Sequence, residues 1–435
     1  MLPPACITSL KLLWLLAGPI TYTRARRTAL GGWNNSNVSV GTYSQTIRNK
    51  SCWICALEEE YECACRMLDE EYAGPETLPD GDDNTYAFGK IRNHGVVVGC
   101  LPAGRYGTES ASRVARDMVR TFPRLRFALM VGIGGGAPTA ETDIRLGDVV
   151  VSKPQGTLGG VIQYDLGKRL PDGPFKLTGQ LNAPPDKLLS VVGDLRRRYN
   201  DPRKPDFVAG HIRLMDDMLG YQRPQRDDLY RVEYQHQEGK ACVGCDVTQT
   251  VPRPQRSSQR VIALHHGTIA SGNSMIKDAA TRDFYAHNPE LKVLCFDREA
   301  AGVMNNLPCL VIRGIGNYAD SHDNEHWRKY AALTAAAYAR ELLLSLKSRA
   351  VDVVPSWVAR MKDEVVQGAR TNCAIEDKSN GSSEVLLQRM QLLEDRLDLV
   401  GLPEVNGAVF NEHMHQYKDE CLEDTRSDVY RQIAE

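Results

Sequence analysis

Hydrophobic and polar positions show no sustained periodicity over residues 1–50 and become ordered from Ser51 onward. The short apolar run 53–57 predicts a buried strand. The acidic triplet Glu58-Glu59-Glu60 then opens a helix, because carboxylates favour a helix N-terminus. Stretches 86–91 and 96–101 predict a strand pair around Asn93-His94-Gly95. A helix capped at Thr108 or Ser110 runs to about Phe122. Residues 127–133 predict a strand entering Gly134-Gly135-Gly136, and 149–152 predict another. Residues 153–260 are richer in Pro, Arg and Asp, with one helix expected near 185–198. Alternation then returns: strand 262–270, helix 274–286, strand 293–296, helix 300–306, strand 309–315 and a long Ala/Leu-rich helix 327–348. Strands alternating with helices predict an α/β domain, its mostly parallel sheet covered on both faces. Farther on, Leu386, Met390, Leu393, Leu397 and Val400 keep a/d spacing for two heptads, short of the three or four that specify a coiled coil. Gly401 and Pro403 end that amphipathic helix.

Charge narrows the function. Lys and Arg number 53 against 55 Asp and Glu, a net charge of −2, so no positive field draws in nucleic acid. The 12 cysteines are too sparse for a disulfide scaffold. Cys55, Cys100, Cys295 and Cys309 sit in apolar runs and read as buried thiols of a reducing, cytoplasmic compartment. Cys52 and Cys55 straddle a strand and point to opposite faces. Cys242 and Cys245 lie in a loop and could bind zinc with His236. Zinc takes about four ligands and only these three are near in sequence, so no metal is expected. The apolar run 12–17 is too short to span a bilayer. It mimics a signal-peptide core, but Lys11 is the sole nearby side-chain cation and no A-x-A site follows. Sequons at Asn34, Asn37 and Asn49 leave secretion as an alternative, but residues 1–50 read rather as a poorly ordered extension or a mispredicted gene start, and no membrane partner is expected.

Several polar residues fall where α/β proteins build sites. Glu60 and Glu299 each follow a predicted strand, at a helix start. Each also fits a carboxylate favoured by the helix dipole. Asn317-Tyr318-Ala319-Asp320 follows the strand at Cys309 and also fits a capped turn. The Gly-rich turn in VGIGGG lets a ligand approach the backbone. No G-x-x-x-x-G-K-[ST] occurs in the chain. Three polar positions at strand ends beside a Gly loop point to one cleft.

LMVGIGGGAP, IRLGDVVVS, IASGNSMIKD and FDREAAGVMNNLPCLVIRGIGNYADSH occur in that order, preceded by ICALEEEYE. This series resembles the superfamily of purine nucleoside phosphorylases, uridine phosphorylases and methylthioadenosine/adenosylhomocysteine nucleosidases. ICAL, YGTESA, GGVIQYDLGK and the CVGC loop are similar to its fungal branch at the N-terminus of NOD-like receptors. The tail 401–435 resembles the segment preceding a NACHT domain, whose P-loop would follow. The resemblance implies a nucleoside-phosphorylase-like central twisted mixed sheet flanked by helices over residues 51–348. Residues 1–50 are then the extension and 349–400 a linker with the short amphipathic helix.

By resemblance, the activity is that of a purine nucleoside or nucleotide N-ribosyl hydrolase, with no cofactor and a homo-oligomeric state. The alternatives are a nucleoside phosphorylase, or a purine-binding module that has lost the chemistry. Glu60 matches the glutamate that activates water, and Glu299 the one that binds the ribose hydroxyls. Met275 and Ile276 match positions lining the purine, and Gly132, Ile133, Gly134 and Gly135 the loop under the ribose. Departures are informative. Arg298 stands where methionine is usual, and could reach a substrate phosphate. Met130 stands at the phosphate-binding arginine and Ile133 at a serine, which favours water over phosphate as the nucleophile. Arg105 is the remaining candidate phosphate contact. Asn317 occupies the slot of the aspartate that protonates N7, with Asp320 as a substitute acid.

Overall fold

The computed structural model describes residues 50–360 except 170–174, 237–241, 243, 257–259, 323–324, 348–350, 352–353 and 357–358. The N-terminal extension, the heptads near Leu386 and the tail 401–435 lie outside the described residues. All the described elements fall within one compact unit, Thr28–Val358.

The strands are β1 (Ser51–Cys55), β2 (Glu70–Tyr72), β3 (Tyr86–Ile91), β4 (His94–Cys100), β5 (Phe127–Gly136) and β6 (Val149–Ser152). They continue with β7 (Val161–Gln163), β8 (Gly167–Arg169), β9 (Phe175–Leu177), β10 (Leu264–Ser271), β11 (Val293–Asp297) and β12 (Cys309–Asn317). The helices are α1 (Glu58–Arg66), α2 (Thr108–Thr121), α3 (Asp186–Asn200) and α4 (Phe207–Ile212), then α5 (Ala279–His287), α6 (Ala300–Met304) and α7 (His326–Ser345).

One 10-stranded sheet runs β11-β10-β6-β12-β5-β1-β4-β3-β2, with β7 beside β10. Its central pairings, β4–β1, β1–β5, β5–β12, β6–β10 and β10–β11, are parallel. The β2–β3–β4 edge and the β6–β12 pair are antiparallel. β12 is the last of the described strands yet lies between β6 and β5. The far end of β5 also pairs with β11, Gly136 opposite Cys295 and Gly135 opposite Phe296. The sheet therefore closes on itself through β5, β12, β6, β10 and β11. The alternating pattern predicts an α/β class with a mostly parallel sheet, and the resemblance implies a central mixed sheet flanked by helices; the α/β mixed sheet is what is observed.

The apolar runs become strands because both faces are covered: β1 and β6 are buried at every position. Helix α7 is buried along nearly its whole length, so its alanines serve close packing rather than an amphipathic stripe. At Gly314 of β12 an added Cβ would lie 1.8 Å from the carbonyl oxygen of Ala331, so only glycine lets helix and strand approach this closely.

Three expectations are corrected. β5 runs on to Gly136, because its glycines keep pairing with β12 and β11. The helix expected from Ser274 starts at Ala279, where the Asp278 side chain accepts a bond from the Thr281 N–H. The 153–260 region carries α4 and the β8–β9 hairpin in addition to α3. Among the described residues no helix is long and apolar enough to cross a membrane.

Candidate active site

Glu60 sits in the first turn of α1 and is buried. Its Oε2 accepts hydrogen bonds from the N–H groups of Ala56 (2.7 Å) and Leu57 (3.1 Å). This is the helix-start role that its position in the acidic triplet suggests. The other oxygen crosses to the sheet: Oε1 accepts from the Ile133 N–H of β5 at 2.7 Å. Gly132 makes room for this reach. A Cβ there would lie 2.4 Å from Glu60 Oε1 and 2.6 Å from Arg313 Nη1.

Arg313, in the middle of β12, is fully buried. It pairs with Asp297 at the end of β11, and its Nη2 lies 3.9 Å from Glu299 Oε2. Glu299 is buried at the entry to α6, and its Oε1 accepts a long bond, 3.4 Å, from the Gly107 N–H. Ser271 ends β10, and its Oγ accepts from the Ala301 N–H at 2.9 Å, which fixes the start of α6. Arg313 Nε and Nη1 make no hydrogen bond among the described residues, leaving buried donors open beside the carboxylates.

Three buried carboxylates thus surround one guanidinium. Burial raises Glu60 from its ordinary 4.5 to about 7, with Arg313 and two backbone N–H bonds pulling it down and Glu299 pushing it up. Burial likewise raises Glu299, against the pull of Arg313 and with a further push from Asp297. Burial disfavours the Arg313 charge, but Asp297, Glu299 and Glu60 outweigh it and hold the proton more tightly than usual. With all groups ionised the cluster carries excess negative charge in a low-dielectric site, and another positive charge would be stabilised there.

Asn317 closes β12, in register with Gly135 after a bulge. Its Oδ1 accepts from the Ala319 N–H at 2.9 Å, and Ala319 takes a left-handed φ of 50°. The capped turn is real, and it turns the amide so that Nδ2 is left as a donor. The turn is anchored by Tyr318, whose hydroxyl donates to Asp227 and accepts from Arg253 Nη1 at 2.8 Å. Asp320 is engaged elsewhere: its Oδ1 accepts from the His322 N–H at 2.9 Å and its Oδ2 lies 3.5 Å from Arg282 Nη1.

Ile276 packs against the cluster of Tyr164, Phe296, Ala137 and Ala319, whereas Met275 is 56% exposed. The Arg298 guanidinium lies over the Tyr106 ring, 5.9 Å from its centroid. Arg105 is exposed, two residues before the Gly107 that donates to Glu299. Met130 is fully buried in β5 between Ile54 of β1 and Val311 of β12. The structure therefore brings together Glu60, Ile133, Gly132 and Glu299, and adjoins Gly135 to Asn317. Sequence reasoning missed Arg313 and Asp297. Their signal was a cation inside the apolar run CLVIRGIG and an acid ending VLCFD, since buried charges occur in pairs.

No family model matches the chain. Over 300 residues, 69% of the chain, it is 42% identical to a nucleotide-binding leucine-rich repeat (NLR)-like protein of Hyaloscypha variabilis. The chain spans 29% of the length of that relative. Among solved structures it is similar to the futalosine hydrolase of Helicobacter pylori strain 26695, at 17% identity over 69% of this chain and 99% of the other, TM-score 0.44. The 5'-methylthioadenosine/S-adenosyl homocysteine nucleosidase of Helicobacter pylori gives 16% identity over 69% and 99%, TM-score 0.44. The corresponding nucleosidase of Neisseria meningitidis, solved with methylthio-immucillin-A, gives 15% over 68% and 100%, TM-score 0.44.

Proposed function

We propose that the protein hydrolyses the bond between a purine and C1′ of a ribose, in a nucleoside or nucleotide, releasing free base and free sugar. The observation that carries this reading is Glu60. It is a buried carboxylate held by three backbone N–H groups, with its proton affinity near neutrality, in the cluster around Arg313, whose Nη2 lies 3.9 Å from Glu299 Oε2. A base of that strength can take a proton from water at neutral pH and give it up again. As the glycosidic bond breaks, C1′ gains positive charge, and the excess negative charge of Glu60, Glu299 and Asp297 over Arg313 favours it. Glu299 accepts the ribose 2′ and 3′ hydroxyls. Water adds to C1′, Glu60 takes its proton, the bonding electrons leave with the base, and the departing base takes up a proton from solvent while Glu60 later returns its own to solvent.

Asn317 distinguishes this site. With Oδ1 taken by Ala319, Nδ2 offers only N–H donors. It can hydrogen-bond N7, and also an oxygen at position 6, but it delivers no proton. The leaving base is better served when it bears a 6-oxo group, so inosine- or guanosine-type substrates are favoured. Water is favoured over phosphate because Met130 is buried between neighbouring strands and Ile133 contributes only an N–H already given to Glu60. Nothing at either position would pair a buried phosphate.

A second reading rests on the same asparagine: a purine-binding module without turnover, serving as the sensing part of an NLR-type protein. Homo-oligomerisation and a cytoplasmic location belong to the proposal on either reading. The test incubates the purified protein with inosine, guanosine, adenosine, methylthioadenosine and ATP, with and without phosphate, and follows free base by chromatography. Base release independent of phosphate is expected. A rise of at least about tenfold with phosphate would make the enzyme a phosphorylase. Purine binding without release would establish the module.

A further inference from the structure

We infer that His236, Cys242, Cys245 and His322 bind a structural zinc ion that fastens the C-x-x-C loop to the turn carrying Asn317. The sequence offered three of these ligands close together and no fourth. The fold supplies His322, from the turn that follows β12.

The distances suit a tetrahedral ion. His236 Nδ1 lies 3.7 Å from Cys242 Sγ and 3.3 Å from Cys245 Sγ. One ligand atom each from His236, Cys245 and His322 lie within 4.8 Å of one another. Zinc with bonds of about 2.0–2.3 Å to nitrogen and sulfur has ligand-to-ligand edges of roughly 3.3–3.8 Å.

His322 gives the independent sign of a missing partner. It is only 6% exposed, and its Nε2 is buried with no hydrogen-bond partner. Its ring is fixed by stacking on Tyr230, with centroids 4.1 Å apart and planes 17° apart. Its Nδ1 lies 3.7 Å from Asp320 Oδ1 and 3.5 Å from Ser321 Oγ. A carboxylate behind one imidazole nitrogen is how metal-ligating histidines are oriented. Asp320, considered from the sequence as an acid for the base, acquires a different role here: it positions a ligand. A second tie runs alongside, for the His236 N–H donates to Ser321 Oγ at 3.0 Å.

Two thiols with two imidazoles select a borderline-soft ion, not magnesium or calcium. On binding, the two thiols ionise and release their protons to solvent, and the sulfurs and ring nitrogens donate their electron pairs to the metal. No redox step is involved. The sequence-based expectation of no metal is revised by the fourth ligand.

The test uses the full chain, purified under reducing conditions without chelator from zinc-supplemented medium. Elemental analysis is expected to give about one zinc per chain. Exchange with cobalt(II) is expected to produce tetrahedral d–d bands and a thiolate-to-cobalt charge-transfer band. Cys242→Ser, Cys245→Ser and His322→Gln should each cut zinc content at least about tenfold, while Cys65→Ser leaves it unchanged. Should a variant fail to fold, the wild-type cobalt spectrum decides. Zinc below a tenth of stoichiometry together with no charge-transfer band overturns the proposal. So does a Cys242–Cys245 disulfide persisting under reduction, or full zinc retention in His322→Gln.

Discussion

Glu60 should make the fold lose stability as the pH rises, and its replacement by glutamine should abolish that loss. The ordinary carboxyl value of 4.5 becomes about 7 in the folded protein, chiefly because burial penalises the charge. A difference of about 2.5 units corresponds to about 3 kcal/mol at 1.36 kcal/mol per unit. The sign follows from proton counting. Between pH 4.5 and 7 the folded chain holds a proton at Glu60 that the unfolded chain has lost, so stability falls with rising pH through that window and levels off above it. Many other groups titrate in the same range, so the assay is a comparison. Urea unfolding of wild type and Glu60→Gln is measured at intervals from pH 5 to 8. Glutamine cannot accept from Ala56, Leu57 and Ile133 with both terminal atoms, so the variant loses at least one bond at every pH, at about 1–3 kcal/mol. That offset is constant; the slope is the signal. Wild-type stability relative to the variant should decline by roughly 2–3 kcal/mol from pH 5 to pH 8, the remainder of the loss lying below pH 5. On a turned-over nucleoside, base release should rise tenfold per unit below a midpoint of about 7 and then plateau. Parallel stability curves, or a variant that keeps the wild-type rate, would refute the argument for a buried, perturbed base.

Three further outcomes follow from the same cluster. Gly132→Ala should push Glu60 away from Ile133, costing about 1–3 kcal/mol in unfolding and at least about tenfold in base release; unchanged kinetics at full stability would mean that the contact is unimportant. Glu299→Gln should weaken ribose-dependent binding by about 1.5–3 kcal/mol per charge-assisted bond, seen as a loss in kcat/KM, and normal turnover would put the sugar elsewhere. Asn317→Asp should raise adenine release from adenosine by about tenfold or more by restoring a proton donor, and no change alongside a fast wild type would remove Asn317 from N7.

The strands that hold the site were legible because fully covered strands are written as continuous apolar runs, as in residues 127–133 and 309–315. Glu60 and Glu299 were legible as acids at helix starts beside strand ends, and the ordered motifs suggested their roles. Arg313 and Asp297 were not legible, although both stand in the apolar runs CLVIRGIG and VLCFD. A lone ionisable residue in an apolar run has meaning only once its partner is known, and β11 and β12 reach each other through sheet closure rather than through adjacency. The start of α5 was misjudged because Ser274 and Asp278 are both acceptable caps, and the choice rests on the Thr281 bond. His322 gave no signal at all as a metal ligand, since its companions lie far back in the chain.

The late arrival of β12 has a consequence for how the protein is made. A ribosome releases every other described strand first, yet β12 fills the gap between β6 and β5. Until residue 317 emerges, β5 and β6 each lack their β12 neighbour, and only the short β5–β11 pairing can join the two parts of the sheet, leaving edges of the kind that invites aggregation. The same strand brings Arg313, the countercharge for Asp297, Glu299 and Glu60. The charge balance of the buried carboxylates and the continuity of the sheet therefore mature in one step. Chains that stall or are cleaved before Arg313 would leave buried carboxylates without their countercharge and strand edges exposed, natural clients for chaperones.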